Sequence, residues 1–235
     1  SNNPLSADGG KSGDTDEIIR QNTLMQIASQ QRTVTLNDYM IRALSMPSDF
    51  GIVSKVYIEK PTLDNQVSTA ETLCMYILSQ NSLGQFSTAT NALKTNLRTY
   101  LSQFKMIGDS IEIKDAYIIN IGVDFEIVVL PNFNNSDVIL SCIQSIQEYF
   151  ERDKWQLNEP ILLRDLFIRL DQVSGIQTVK NITVSNKVGI TQGYSQYAYD
   201  IEGATQNQVI YPSLDPSIFE VKYPNDDIKG RVVPL

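Results

Sequence analysis

Ile119-Asn120-Ile121-Gly122-Val123-Asp124-Phe125-Glu126-Ile127-Val128-Val129 carries the clearest pattern in the chain. Apolar residues at 119, 121, 123, 125, 127 and 129 alternate with Asn120, Gly122, Asp124 and Glu126. Successive side chains of a strand point to opposite faces, so this spacing predicts one face on a core and the other towards water. Pro131 and Asn132 break the strand. Beyond them Ser136 is placed to cap a helix, and Ile139, Cys142, Ile143, Ile146, Tyr149 and Phe150 form its apolar stripe. Trp155 comes next, then Pro160 at the start of a short helix lined by Leu163, Leu166, Phe167 and Leu170. Val173-Ser174-Gly175 turns the chain into a strand from Ile176 to Val184.

On the N-terminal side, Ala89, Ala92, Leu93, Leu97, Tyr100, Leu101 and Phe104 recur at helical spacing from Thr88 to Phe104, and Gly108 closes that helix. Strands are predicted at Gly51–Glu59 and Thr72–Leu78, with a turn-rich stretch after Lys60-Pro61 and another at Asn81-Ser82-Leu83-Gly84. Thr35 can cap a helix carrying Leu36, Tyr39, Met40, Ala43 and Leu44, with Asp38 three residues on and Pro47 at its end. A shorter helix is expected from Asp16, with Ile18, Ile19, Leu24 and Ile27.

The order is α, β, β, α and then β, α, α, β, which predicts an α+β protein of two small sandwiches, each with helices on one face of a mixed sheet. The expected divisions are a linker at 1–17, a first domain at 18–108, a second at 109–185 and an extended tail at 186–235. Five of the eleven tyrosines stand in that tail: Tyr194, Tyr197, Tyr199, Tyr211 and Tyr223. Large amphipathic rings on a segment without its own core need something to pack against. Tyr194, Tyr197, Tyr199, Tyr211, Ile218, Phe219 and Tyr223 are therefore the candidate interface residues, against this chain or a neighbour. Strand addition by 208–211 or 218–221 to a sheet edge is one way for them to act.

Composition removes several function classes. The chain has 19 basic and 27 acidic residues, a net charge of −8, the wrong sign for a domain that neutralises phosphates. It has no histidine, which removes the usual neutral-pH base, the Ser-His-Asp arrangement and the commonest metal ligand. Cys74 and Cys142 are too few for a thiolate zinc site and read as reduced core residues. No apolar run approaches the roughly 18 residues of a bilayer span. The Ser1-Asn2-Asn3-Pro4 opening, without an initiator methionine, is read as the start of a fragment of a longer chain.

Individual motifs add no chemistry. Gly10-Lys11-Ser12 lacks the earlier glycine of a phosphate loop, since Leu5 stands there. Asp14, Asp16 and Glu17 run into Ile18 and Ile19 rather than the spaced ligands of a calcium loop. Asp124 and Glu126 share a strand face, the arrangement a histidine-free hydrolase would use, but an exposed sheet face puts charges there anyway. Asn134-Asn135-Ser136 and Asn181-Ile182-Thr183 fit the glycosylation acceptor pattern, which arises often by chance and matters only in a secreted eukaryotic protein. No catalytic residue, cofactor or metal site is assigned.

Several motifs fall in one order. They are Asp8-Gly9-Gly10 to Asp16-Glu17, Arg20, Thr33-Val34-Thr35-Leu36-Asn37-Asp38-Tyr39, and Phe50-Gly51-Ile52-Val53-Ser54-Lys55-Val56. Gly108-Asp109-Ser110, the alternating strand, the helix to Phe150 and Val173-Ser174-Gly175-Ile176-Gln177-Thr178-Val179 complete the series. Over roughly residues 8 to 185 this resembles the baseplate J-like proteins of contractile tails and related injection machines. The tail from Tyr211-Pro212 to Tyr223-Pro224 is similar to wedge subunits of T-even-type tails. The resemblance implies a non-enzymatic structural subunit of the virion, assembled in the host cytoplasm. It implies pairing with a second copy and with other wedge proteins, and a ring around the hub that rearranges on contraction, with neither nucleic acid nor membrane as partner. A monomeric peptide-binding module is the alternative.

Overall fold

The structure, a computed structural model, describes residues 32–60, 71–81 and 83–234. The expected linker at 1–17, the helix from Asp16 and the stretch after Pro61 lie outside the described residues, as do Gly10-Lys11-Ser12 and Asp14, Asp16 and Glu17. The chain divides into two compact units, Ser1–Ala116 and Tyr117–Leu235.

In the first unit, α1 (Leu36–Leu44) leads to β1 (Lys55–Glu59), β2 (Glu71–Gln80) and the short β3 (Phe86–Ser87), then α2 (Asn91–Ser102) and β4 (Asp109–Asp115). The capping box opens α1 as the spacing predicts. Thr35 accepts from Asp38 N at 3.2 Å and the Asp38 carboxylate accepts from Thr35 N at 2.8 Å. Those backbone donors hold the Asp38 carboxyl below its ordinary value, the bond from Thr35 first among them. β1 pairs antiparallel and β4 parallel with β2. Tyr39 and Ala43 of α1, Leu93, Leu97 and Leu101 of α2, and Ile58, Met75, Ile77 and Ile113 of the sheet form the core. The division expected at Gly108 lies instead after Ala116. The reason is β4: Ile113 buries against the helices of this unit while the strand runs in register with β2, so 109–115 cannot belong to the second unit.

The second unit is built on β5 (Tyr117–Val129), the alternating stretch. Then come α3 (Asn135–Tyr149), β6 (Ile161–Leu162), α4 (Leu163–Asp171) and β7 (Ile176–Asn186). Gly175, just before β7, has φ +98 and sits where an added Cβ would lie 2.7 Å from Phe133, so only glycine suits this turn. α3 packs on the sheet and α4 against β7, burying Val138, Cys142, Ile146, Leu166 and Leu170 with Ile119, Ile121, Val123, Phe125 and Ile127 of β5. Both cysteines are buried and free, and burial pushes the Cys142 thiol up to about 11.

The expected tail is part of this fold. β8 (Thr205–Gln206) and β9 (Val209–Ile210) make a small sheet with β6. β10 (Ser217–Glu220), the single turn α5 (Pro224–Asp227) and β11 (Ile228–Val232) complete the main one. β10 and β11 both run parallel to β5, with Phe219 opposite Ile119 and Gly230 opposite Phe125. β7 runs antiparallel, with Thr183 opposite Asp124. Tyr117 N donates to Pro216 O and Val233 N to Ile127 O, whereas Asn120 O accepts from Lys187 N. Odd-numbered peptide groups of β5 therefore serve β10 and β11 in succession on one edge, and even-numbered ones serve β7 on the other.

Candidate functional site

The seven candidate interface residues mostly turn inward. Ile218 and Phe219 are 1% and 2% exposed, because pairing of β10 with β5 carries them into the core; this corrects their assignment to an interface. Tyr197 stacks on Tyr117, ring centroids 4.5 Å apart. Tyr199 donates its hydroxyl to Tyr211 O at 2.7 Å and packs beside Phe219. Tyr194 meets Tyr223 edge to face and donates to Asp227 Oδ1 at 2.5 Å, while Tyr223 N donates to Asp227 Oδ2 at 2.8 Å. Tyr211, 49% exposed, is the member of the set that keeps an open ring face.

Under these rings a polar network fixes the tail to β5. Asn120, 1% exposed, accepts from Ser195 N at 2.7 Å and donates to Glu220 Oε2 at 2.9 Å. Its carbonyl accepts from Lys187 N and Asn186 Nδ2. The Glu220 side chain is 1% exposed and meets Arg152 Nε at 3.2 Å. Arg152 Nη2 also donates to Lys222 O at 3.0 Å. The alternation in β5 points Asn120 to the face expected to meet water; the tail covers it there, and each polar atom gains a partner.

These tyrosines make stability depend on alkali. Burial, and then the bond to Asp227, lifts the Tyr194 hydroxyl above its ordinary 10.0. Burial also raises Tyr149 and Tyr199, and raises Cys142 from 9.0. Each group binds its proton more tightly folded than unfolded, so its contribution is complete below the unfolded value and is lost as pH rises through the folded one. The urea midpoint is expected to hold steady up to about pH 9 and fall from there upward, and Tyr194→Phe should flatten that fall. A midpoint unchanged to about pH 11 in both proteins would contradict it.

The one stretch of β5 whose polar face stays open is its middle. Asp124 and Glu126 line a depression of about 360 Å³ with Asn181 and Thr183 of β7 and Lys229 and Arg231 of β11. Arg231 Nε donates to Glu126 Oε1 at 3.0 Å, and its Nη2 bonds the same oxygen. The carboxylates at 124 and 126 are visible in the sequence as a pair; the two cations beside them are not. Their signal is the alternation Ile228-Lys229-Gly230-Arg231-Val232, five residues inside what reads as a tail. Among the described residues no three His, Cys, Asp or Glu side chains gather to hold a metal ion. Nor is any described helix long and apolar enough to cross a membrane.

No family model matches the chain, and no curated protein matches it. Among solved structures it is similar to a chain in the "Cryo-EM structure of the anti-feeding prophage (AFP) baseplate, 6-fold symmetrised", with a TM-score of 0.54 at 14% identity. The match covers 88% of this chain and 42% of that one, so this chain spans less than half the length of its structural relative. The two chains share a fold.

Proposed function

We propose that this chain is a non-catalytic structural subunit of the baseplate of a contractile particle, a wedge component of the J-like kind that pairs with itself and joins other wedge proteins. The observation that carries this reading is the fold shared with a baseplate chain over 88% of the present sequence. The ordered motifs support it: Thr35–Tyr39 starts α1 with a capping box, and Gly175 makes the turn into β7. The net charge of −8 favours protein partners over nucleic acid. In this reading the assembled particle carries the chain in its tail baseplate.

The test is genetic and compositional. Particles from a strain lacking the chain are expected to show tails without baseplates, restored when the chain is supplied in trans, and mass spectrometry of purified baseplates should find it. Complete, active tails formed without the chain would end the proposal.

A further inference from the structure

The open middle of the β5 sheet is arranged in columns. β7 supplies Asn181 and Thr183, β5 supplies Asp124 and Glu126, and β11 supplies Lys229 and Arg231. The register sets Asp124 level with Lys229 and Glu126 level with Arg231, so an acidic column stands beside a basic one at matched heights. Glu126 and Arg231 close on each other. Asp124 and Lys229 lie directly opposite across the strands, both exposed, and no ion pair joins them.

Two such columns, one strand spacing of about 4.8 Å apart, complement themselves in one way. A twofold axis parallel to the strands, midway between β5 and β11, lays a second copy's basic column over this acidic one and keeps every residue at its own height. Asp124 then faces the second copy's Lys229, and Lys229 the second copy's Asp124. A twofold across the strands instead sets acid on acid. Isologous contacts need a patch that matches itself under rotation, and this one does. We propose that two copies of this chain associate through this face, with the ion pair left open within each chain closed twice between them. The inference deepens the reading of the chain as an assembling subunit and rests on it.

The experiment is sedimentation velocity on the 235-residue chain over a concentration series at low and high salt. The chain is expected to dimerise, more weakly at high salt because exposed charges are screened. Lys229→Glu alone, or Asp124→Lys alone, sets like charges against each other twice over, and should raise the dissociation constant at least about tenfold. The double swap D124K/K229E restores attraction and should return it to within roughly threefold of the original. Both positions are exposed, so at concentrations where every chain is monomeric the thermal melts of all three variants should stay within a few degrees of the parent's. A chain monomeric at every concentration, or a dimer indifferent to the single reversals, overturns the proposal and leaves these side chains as a solvated sheet face. The two readings fail separately. A monomeric chain still required for tail baseplates sinks this surface alone; a charge-swappable dimer that tails do not need sinks the baseplate reading alone.

Discussion

Arg152→Met is expected to destabilise the second unit by about 3 to 5 kcal/mol, the range for removing one partner of a buried ion pair. The Glu220 carboxylate is 1% exposed, against 26% for the Arg152 side chain, so the variant leaves a charge in the interior without its guanidinium. It also removes the donor that Lys222 O receives at 3.0 Å. Methionine keeps most of the volume, which separates the loss of charge from the opening of a cavity. The reading is simple because Trp155 is the chain's single tryptophan, packed on Tyr149 and Phe150 within this unit. Its fluorescence during urea unfolding follows the second unit alone. Adding Glu220→Gln to the variant should recover most of the loss, since a neutral amide needs no counter-charge. A loss below about 1 kcal/mol would mean that water already screens the pair.

The second large effect is expected at Gly230. It lies opposite Phe125 in the register, and an added Cβ would stand 2.3 Å from Cζ and 2.5 Å from Cε2 of that ring. Phe125 is 1% exposed, so the ring has nowhere to retreat, and Gly230→Val should cost about 3 kcal/mol through overpacking. The backbone of β11 has to lift away from β5 to relieve the collision. Phe125→Leu in the same chain should return part of the stability, whereas on its own it should be destabilising. Additive losses in the double variant would show that the two residues do not compete for one space. Because Lys229 and Arg231 flank this glycine, Gly230→Val should also abolish the salt-sensitive dimer, linking core packing to assembly.

The parts of the fold legible in the sequence are those whose signal is local. The strict alternation in β5, the Thr35 and Asp38 cap and the glycine at 175 each state their conformation within a few residues. β4 is hidden because Ile111 and Ile113 give only two apolar beats directly after the stop at Gly108, and its partner β2 lies a helix away. β10 and β11 are four and five residues long and pair in parallel, so nothing near them in the chain marks their place. The tyrosines of the tail announce their need for a surface without naming it. That surface is the tail's own unit, because residues 217–232 finish the sheet that residues 117–129 begin. The open charged face is hidden for the same reason, since half of it arrives with β11.

Phe219 pairs with Ile119, one hundred residues earlier. At about 5 to 20 residues per second, a ribosome needs roughly 5 to 20 s to carry the chain from one to the other. Throughout that interval one edge of the longest strand in the second unit stands bare while its helices are already emerging. On a polysome, where several copies are made side by side, each nascent chain also exposes this edge to the β10 and β11 of its neighbours, in competition with its own tethered strands. Exchange of those strands between chains would give an intertwined pair with every native hydrogen bond in place. The cell's translation schedule, as much as the final energies, therefore decides whether the strand finds its own partner first.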